Sequence, residues 1–308
     1  MGEQRIRLRT IAPGKINWTL EVLGRREDGY HEIRSVMQTI DLCDEVEIRE
    51  GGSRAKDEGW VRAGSSALLA GGEHEATEDD LTLRAPRALE EAVRRELPVA
   101  IRLRKRIPVA SGLGGGSSDA AAVLRSLNEL YALGMSSERL AAVGARIGSD
   151  VPFFLSGGTV LTKGRGERVT PLVDALTAWL VLLVPPIKLP TKTKRMYEAL
   201  TAEDFNDGSH SEGLSQRLQR AKAVREEDLY NVFENRSYQM FEGLEIYRDA
   251  LTGAGAEAVH LSGAGPALFT LAESEAAALK LKERIHLPGA KVLVTRTVTA
   301  AEATAIVE

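Results

Sequence analysis

Four glycines in five positions, at 112, 114, 115 and 116, constrain this chain more than any other feature of its sequence. They fall between two segments of opposite periodicity. Over residues 99–107, Ile101 and Leu103 alternate with Arg102, Arg104 and Arg106, as in a half-buried strand. From Ser117 onward, Ala121, Leu124, Leu127 and Leu130 recur at helical spacing, and Gly134 is expected to close that helix. The segment from Pro108 to Ala122 therefore reads as strand, glycine loop, helix. Gly112, Gly114, Gly115 and Gly116 leave backbone N–H groups uncovered, and Ser117 and Ser118 open a helix whose positive N-terminal end favours an anion. Such a loop is suited to phosphates. It is not a Walker A loop, because no Gly-Lys-Ser/Thr follows and no neighbouring lysine supplies a point charge. A dinucleotide fingerprint fails as well, since the fifth residue after Gly112 is Ser117. A nucleoside triphosphate fits better than either, and a merely flexible turn is the weaker alternative.

Composition narrows the class further. The 308 residues predict about two domains at roughly 150 residues each. Apolar residues at 43% and charged residues at 27% argue against a disordered or fibrous chain. The longest clean apolar run, Ala178 to Val184, is far shorter than the ~20 residues of a spanning helix, so no membrane association is expected. The first ten residues alternate Ile6 and Leu8 with charges and show no export signal, which predicts a cytoplasmic protein. Cys43 is the single cysteine, which excludes an intrachain disulfide. A net charge of −4 disfavours broad nucleic-acid binding but leaves room for a small anionic substrate, because a pocket's local field can differ in sign from the whole.

Along the chain, Arg5 to Ile11, Asn17 to Leu23, Tyr30 to Ile40 and Asp44 to Arg49 read as strands, with a hairpin tip at 25–29. Gly51 to Glu78 reads as a loop-heavy edge in which Trp60, Val61, Leu68 and Leu69 are the residues able to pack. Asp79 or Asp80 is expected to cap a helix bearing Leu81, Ala85, Leu89 and Val93, with Pro86 imposing a kink or a later start. Helices are predicted over Ser136 to Ile147 and Val151 to Leu155, followed by strand pairs up to Pro185. The pair Pro185 and Pro186 marks the expected seam between domains at 1–184 and 185–308. Beyond it come a helix near Thr193 to Ala202, an acidic stretch from Glu203 to Glu212, and helices to Leu251. A hairpin over 258–271, a helix from Ser274 to Arg284 and a final strand from Lys291 to Val298 complete an α+β second domain.

The loop from Pro108 resembles the second motif of the GHMP kinase superfamily, which holds ATP phosphates, and two more motifs align in order. Ala12-Pro13-Gly14-Lys15-Ile16-Asn17 resembles the first, and Leu261-Ser262-Gly263-Ala264-Gly265-Pro266 the third. The blocks Arg26-Glu27-Asp28-Gly29-Tyr30-His31 and Gly148-Ser149-Asp150-Val151-Pro152-Phe153-Phe154 are similar to those of one branch, the kinases of 4-diphosphocytidyl-2-C-methyl-D-erythritol in the non-mevalonate isoprenoid pathway. The resemblance implies an α+β, two-domain GHMP kinase fold. Its N-terminal β-α-β domain would have a ribosomal-protein-like core with a left-handed crossover, and its C-terminal domain would be ferredoxin-like. It also implies ATP as donor, Mg²⁺ as companion ion, and phosphorylation of the acceptor's 2-hydroxyl to the 2-phosphate with release of ADP.

Residue roles follow from the same resemblance. Lys15 and Asp150 take the catalytic positions, although on its own Asp150 reads as a helix N-cap and Lys15 as a solvated strand lysine. Pro108, Gly112, Leu113, Gly114, Gly115, Gly116, Ser117 and Ser118 take the ATP site, with Ser118 a candidate oxygen for Mg²⁺. Gly263 and Gly265 supply the third motif near the nucleotide. Lys105 stands at a family position close to adenine, or else on a charged strand face. Tyr30 and His31 supply a stacking ring and a hydrogen-bonding edge for cytosine. Tyr197 is the candidate for the opposite face of the base or a helix core residue. Asn17 is expected on the acceptor or as a structural amide. Asp80 replaces a family asparagine, and Ala264 and Ala267 replace family hydroxyls. Competing readings are a sibling kinase of homoserine, mevalonate or a sugar, a non-catalytic nucleotide sensor, and a nicotinamide oxidoreductase. The oligomeric state is not legible.

Overall fold

The computed structural model describes residues 7–51, 61–62 and 80–307. Its first two strands, β1 (Arg7–Arg25) and β2 (His31–Glu50), are long and pair antiparallel. Each fuses two segments that the sequence separates. The register shifts at Pro13/Gly14, Asn17/Thr19 and Val22/Gly24 are bulges that bend the ribbon without ending it. Gly14 sits at the first of them, where a Cβ would lie 3.2 Å from the Leu42 carbonyl, a tight contact that favours glycine. The hairpin tip falls where expected, with Gly29 at φ 84° and the Asp28 carboxylate accepting from the Tyr30 amide at 3.1 Å. Of the stretch read as a loop-heavy edge, β3 (Val61–Arg62) pairs with the later strand β4 (Val99–Arg104). Trp60, Leu68 and Leu69, with Arg5 and Asp79, lie outside the described residues.

Before β4 comes α1 (Leu81–Val93), capped by the Asp80 carboxylate, which accepts from the Thr82 amide at 2.8 Å. The helix starts at Leu81 and continues through Pro86, so the proline neither delays nor ends it. A capped first turn and a buried face of Leu83, Ala85 and Leu89 offset the one hydrogen bond that proline removes. After β4, α2 (Gly115–Leu130) starts two residues before Ser117 and ends at Tyr131, so Gly134 turns the following connection instead of closing the helix. The helices α3 (Ser137–Ile147) and α4 (Val151–Ser156) follow as predicted. Together the four helices cover the sheet through a core that includes Leu89, Leu97, Ile101, Leu124, Leu127, Phe153 and Phe154.

Next, β5 (Thr159–Gly164) pairs with β2, and β6 (Arg168–Pro171) with β5. The chain then crosses to a second sheet with β7 (Trp179–Val184), ahead of Pro185 and Pro186. Sheet membership thus changes within residues 172–178, before the proline pair. The remaining elements are α5 (Lys192–Glu198), α6 (Ser209–Gln219), β8 (Tyr230–Asn231), α7 (Glu234–Met240), α8 (Leu244–Ala254), β9 (His260–Leu261), β10 (Leu268–Ala272), α9 (Glu275–Glu283), β11 (Lys291–Arg296), α10 (Ala300–Ala303) and β12 (Ile306–Val307). The second sheet runs β11-β7-β10-β9, all antiparallel. Numbered within the sheet this is 4-1-3-2, the order of the ferredoxin-like unit, and β7 is its first strand. The strand β11 is not the last, because β12 returns to β1, and β8 also joins β1 in the first sheet. Among the described residues no helix is long and apolar enough to cross a membrane.

The two sheets meet through Ile16, Trp18, Val36 and Ile40 on one side and Leu180, Leu182 and Phe269 on the other. Trp18 is fully buried and meets the Phe269 ring edge-on at 6.2 Å. Trp18→Ala is expected to lower unfolding stability by about 3–5 kcal/mol. The exposed Leu279→Ala should stay within about 0.5 kcal/mol of the parent. Urea midpoints of both variants check this, and equal midpoints would contradict the intersheet core.

Candidate active site

The even positions of β1, Ile16 and Trp18, enter the intersheet core, which turns Lys15 and Asn17 to the opposite side, into a cavity of about 1560 Å³. This exceeds the few hundred to 1,000 Å³ of an ordinary single-ligand pocket, leaving room for a nucleotide and a second substrate. Lys15, Arg25, Lys105, Arg165, Lys192 and Lys194 face it against Asp80, Asp119, Asp150 and Glu198. The cleft is therefore cationic although the chain is acidic, as an anionic ligand requires.

Pro108, Gly112, Gly114, Gly115, Gly116 and Ser117 form one wall. Gly112 has φ 96°, and a Cβ there would fall 2.3 Å from the Ser262 carbonyl, so no side chain fits. Leu113 is not in the wall but fully buried in the intersheet core. Its carbonyl accepts from the Lys15 amide at 3.0 Å, which ties the first motif to the second. No side chain caps the N-terminus of α2, where Gly114 holds the cap position. The amides of its first turn are thus left to an anion. From the third motif, Gly263 lines the cavity, whereas Gly265 stands behind the loop against Gly112.

Lys15 is buried, and its ammonium donates to Asn17 Oδ1 at 2.5 Å. Asn17 in turn donates to Ser35 Oγ at 2.8 Å, so the amide fixes the lysine from inside a hydrogen-bonded row. Burial pulls the Lys15 pKa down to about 8 despite the opposing attraction of Asp150. Asp150 occupies the cap position of α4, yet its carboxylate makes no capping bond and lines the cavity. The plain N-cap reading is thereby excluded.

Lys105 is neither on a solvated face nor free. Its ammonium binds Asp44 Oδ2 at 2.5 Å and Asp119 Oδ2 at 2.6 Å beside Gly115. Burial opposes its charge, but the two carboxylates outweigh burial and raise its pKa. Asp119 has its pKa raised by burial against the pull of Lys105. Ser118 Oγ and Asp119 Oδ1 are buried without hydrogen-bond partners at the start of α2. Unpaired oxygens are the donors that Mg²⁺ accepts, but Ser118 is fully buried and outside the cavity lining, so of the two it is the Asp119 carboxylate, on the cavity wall, that would hold the ion. No group of three or more His, Cys, Asp or Glu among the described residues forms a metal cage. Phosphate and water oxygens would complete the shell.

At the other end of the cleft, Tyr30 is 54% exposed at the hairpin tip, and the Arg165 guanidinium lies 4.7 Å from its ring centroid. His31 stacks on Tyr197 at 5.1 Å and meets Phe205 edge-on at 6.0 Å. Tyr197 combines both of its sequence readings. One contact is the His31 ring on the cavity side, and another is Phe233 in the core. Burial, then the Asp150 charge, push its hydroxyl pKa up. Burial, then Arg25, lower the pKa of His31, favouring a neutral ring.

Sequence reasoning missed Asp44, Arg165, Lys192 and Phe205. Arg165 carried a usable signal, flanked by Gly164 and Gly166, both of positive φ in a tight turn. Phe205 is a lone aromatic in the acidic stretch, and Lys192 is one of a run of basic residues, so neither stood out. Lys192 donates to the carbonyls of Ala110, at 2.9 Å, and Gly265. Burial and then repulsion from Lys15 bring its pKa down to about 8.

Comparison with known proteins agrees with this geometry. The model of the GHMP kinases N terminal domain matches residues 80–158, and that of the GHMP kinases C terminal domain matches 196–291. A 4-diphosphocytidyl-2-C-methyl-D-erythritol kinase of Dehalococcoides mccartyi is 40% identical over 94% of this chain and 98% of its own length. One from Exiguobacterium sibiricum is 40% identical over 88% and 91%. A crystal structure of 4-(cytidine 5'-diphospho)-2C-methyl-D-erythritol kinase superposes with a TM-score of 0.75 at 32% identity, covering 94% of this chain and 98% of that one. The homoserine kinase of Cytophaga hutchinsonii, at 16% identity and a TM-score of 0.66, shares the fold over 97% of this chain and 96% of its own. Matched by both domain models and by relatives along nearly its whole length, the chain belongs to the GHMP kinases, in the 4-diphosphocytidyl-2-C-methyl-D-erythritol kinase family.

Proposed function

We propose that this protein transfers the γ-phosphoryl group of ATP to the 2-hydroxyl of 4-diphosphocytidyl-2-C-methyl-D-erythritol, giving the 2-phosphate and ADP for isoprenoid precursor synthesis in the cytoplasm. The observation that carries the reading is the convergence of a buried Lys15, an uncapping Asp150 and the open N-terminus of α2 on one cleft. Phosphoryl transfer asks little covalent work of a protein beyond in-line placement and charge stabilisation. The amides at the start of α2 hold the donor phosphates, where Asp119 has an unpaired oxygen for Mg²⁺. When bound, Mg²⁺ neutralises phosphate charge.

Asp150 orients the acceptor hydroxyl and takes its proton. The hydroxyl oxygen forms the new bond to Pγ as the bond from Pγ to the β,γ-bridging oxygen breaks, leaving ADP. Lys15, held by Asn17 and attracted by Asp150, places positive charge beside the attacking oxygen. Tyr30 offers a ring face to the cytosine, while His31 hydrogen-bonds its edge from a position braced by Tyr197.

Asp150→Asn and Lys15→Ala are each expected to lower kcat by about 10²–10⁴-fold. A nonhydrolysable ATP analogue should still bind within about threefold of the parent. Coupled ADP-release kinetics and calorimetry test this, and near-parental turnover in both variants would refute the assignment. His31→Ala should raise KM for the cytidylated acceptor by about tenfold or more, the range of one base contact, with KM for ATP unchanged. Comparable transfer to homoserine or mevalonate by the parent protein would overturn the choice of acceptor.

A further inference from the structure

Between Pro108 and Ala122 the glycine loop contains no lysine, although phosphate loops of the Walker type depend on one. Tertiary structure brings a lysine to it. Lys192, the first residue of α5, extends to the junction of the second and third motifs, where its ammonium is held by the Ala110 and Gly265 carbonyls. Gly265 is the same residue against which Gly112 packs, so Lys192 grips both glycine turns at once.

The partners of this half-buried ammonium differ from those of the other two lysines. Lys105, the cation on the other side of the loop, is neutralised by Asp44 and Asp119. Lys15 has Asp150 to offset its charge. Around Lys192, among the described residues, no carboxylate lies within ion-pair distance, and its partners are neutral backbone oxygens. A half-buried ammonium without a counter-ion is suited to an anion that arrives from outside. The neighbouring wall of the cavity is the loop itself, with Gly112 two residues from Ala110.

We propose that Lys192 is the missing lysine of this phosphate loop, contributed from the second half of the chain, and that it binds the terminal phosphate of the nucleoside triphosphate. The assignment rests on the kinase reading above. In the absence of nucleotide the two carbonyls hold the ammonium in place. On binding it exchanges one or both for γ-phosphate oxygens, adding charge where the transferred group separates from ADP. Lys15 then serves the acceptor oxygen and Lys192 the donor phosphate.

The test separates charge from scaffolding. Lys192→Gln keeps an N–H donor for the two carbonyls but removes the charge, Lys192→Met removes both, and Lys192→Arg retains the charge. Calorimetric affinities are measured for ADP, a β,γ-imido ATP analogue and the cytidylated acceptor. Lys192→Gln and Lys192→Met are expected to weaken the triphosphate analogue at least tenfold while ADP and acceptor shift less than threefold. Lys192→Arg should recover most of the preference for triphosphate over diphosphate. A Gln variant that keeps the parental preference, or one that weakens ADP and analogue equally, overturns the proposal. Selective loss of acceptor affinity assigns the charge to the acceptor diphosphate and overturns it too. If Lys192→Met does not fold, as shown by its melting curve, the Gln and Arg variants decide the matter. Phosphate transfer by the parent protein, assayed separately, tests the kinase reading, since the binding preference is measured without turnover.

Discussion

The contact on which this site depends is backbone against backbone. At Gly112 the second motif lies directly on the turn from Ser262 to Gly265, close enough that the smallest side chain would part them. Hydrogen bonds from both sheets hold that contact. The Ala267 amide donates to the Ser111 carbonyl at 2.9 Å, Ser262 Oγ donates to the Gly112 carbonyl at 3.2 Å, and the Lys15 amide donates to Leu113. The loop is thus clamped from strand β1 on one side and from the hairpin of β9 and β10 on the other. A phosphate cradle of glycines would be floppy by itself, since glycine has the most conformational freedom to lose. Here its shape is set by neighbours and not by its own sequence.

The same arrangement explains how three lysines near one another can have different tasks. Lys105 is saturated by two carboxylates and supports the wall. Lys15 is fixed by an amide and attracted by Asp150 from across the cleft. Lys192 has only carbonyl oxygens. Neighbouring cations oppose one another's charge, as the repulsion of Lys15 on Lys192 shows.

What the sequence made legible was local. The strand, glycine loop and helix around residue 112 declared themselves through periodicity and through residues that are usable only in special backbone conformations. The motif blocks then located Lys15, Asp150, Tyr30 and His31, all of which reach one cavity. What stayed hidden depends on distance in the chain. Asp44 meets Lys105 across 61 positions, and Lys192 meets Ala110 across 82, and nothing in either segment's own pattern announces the partner. The change of sheet was hidden for a related reason. Pro185 and Pro186 are conspicuous punctuation, but β7 ahead of them pairs with β10 and β11, and pairing rather than punctuation decides which sheet owns a strand.

The outer edge of β1 is covered in pieces. Thr19 and Leu20 pair with Tyr230 and Asn231, and Arg9 and Thr10 pair with Val307 and Ile306, about 300 positions downstream. A chain lacking these two short downstream strands would leave one side of the long β-ribbon without its native cover. Open ribbon edges invite strands from other molecules. The two short strands thus close an edge that would otherwise be open to pairing between molecules.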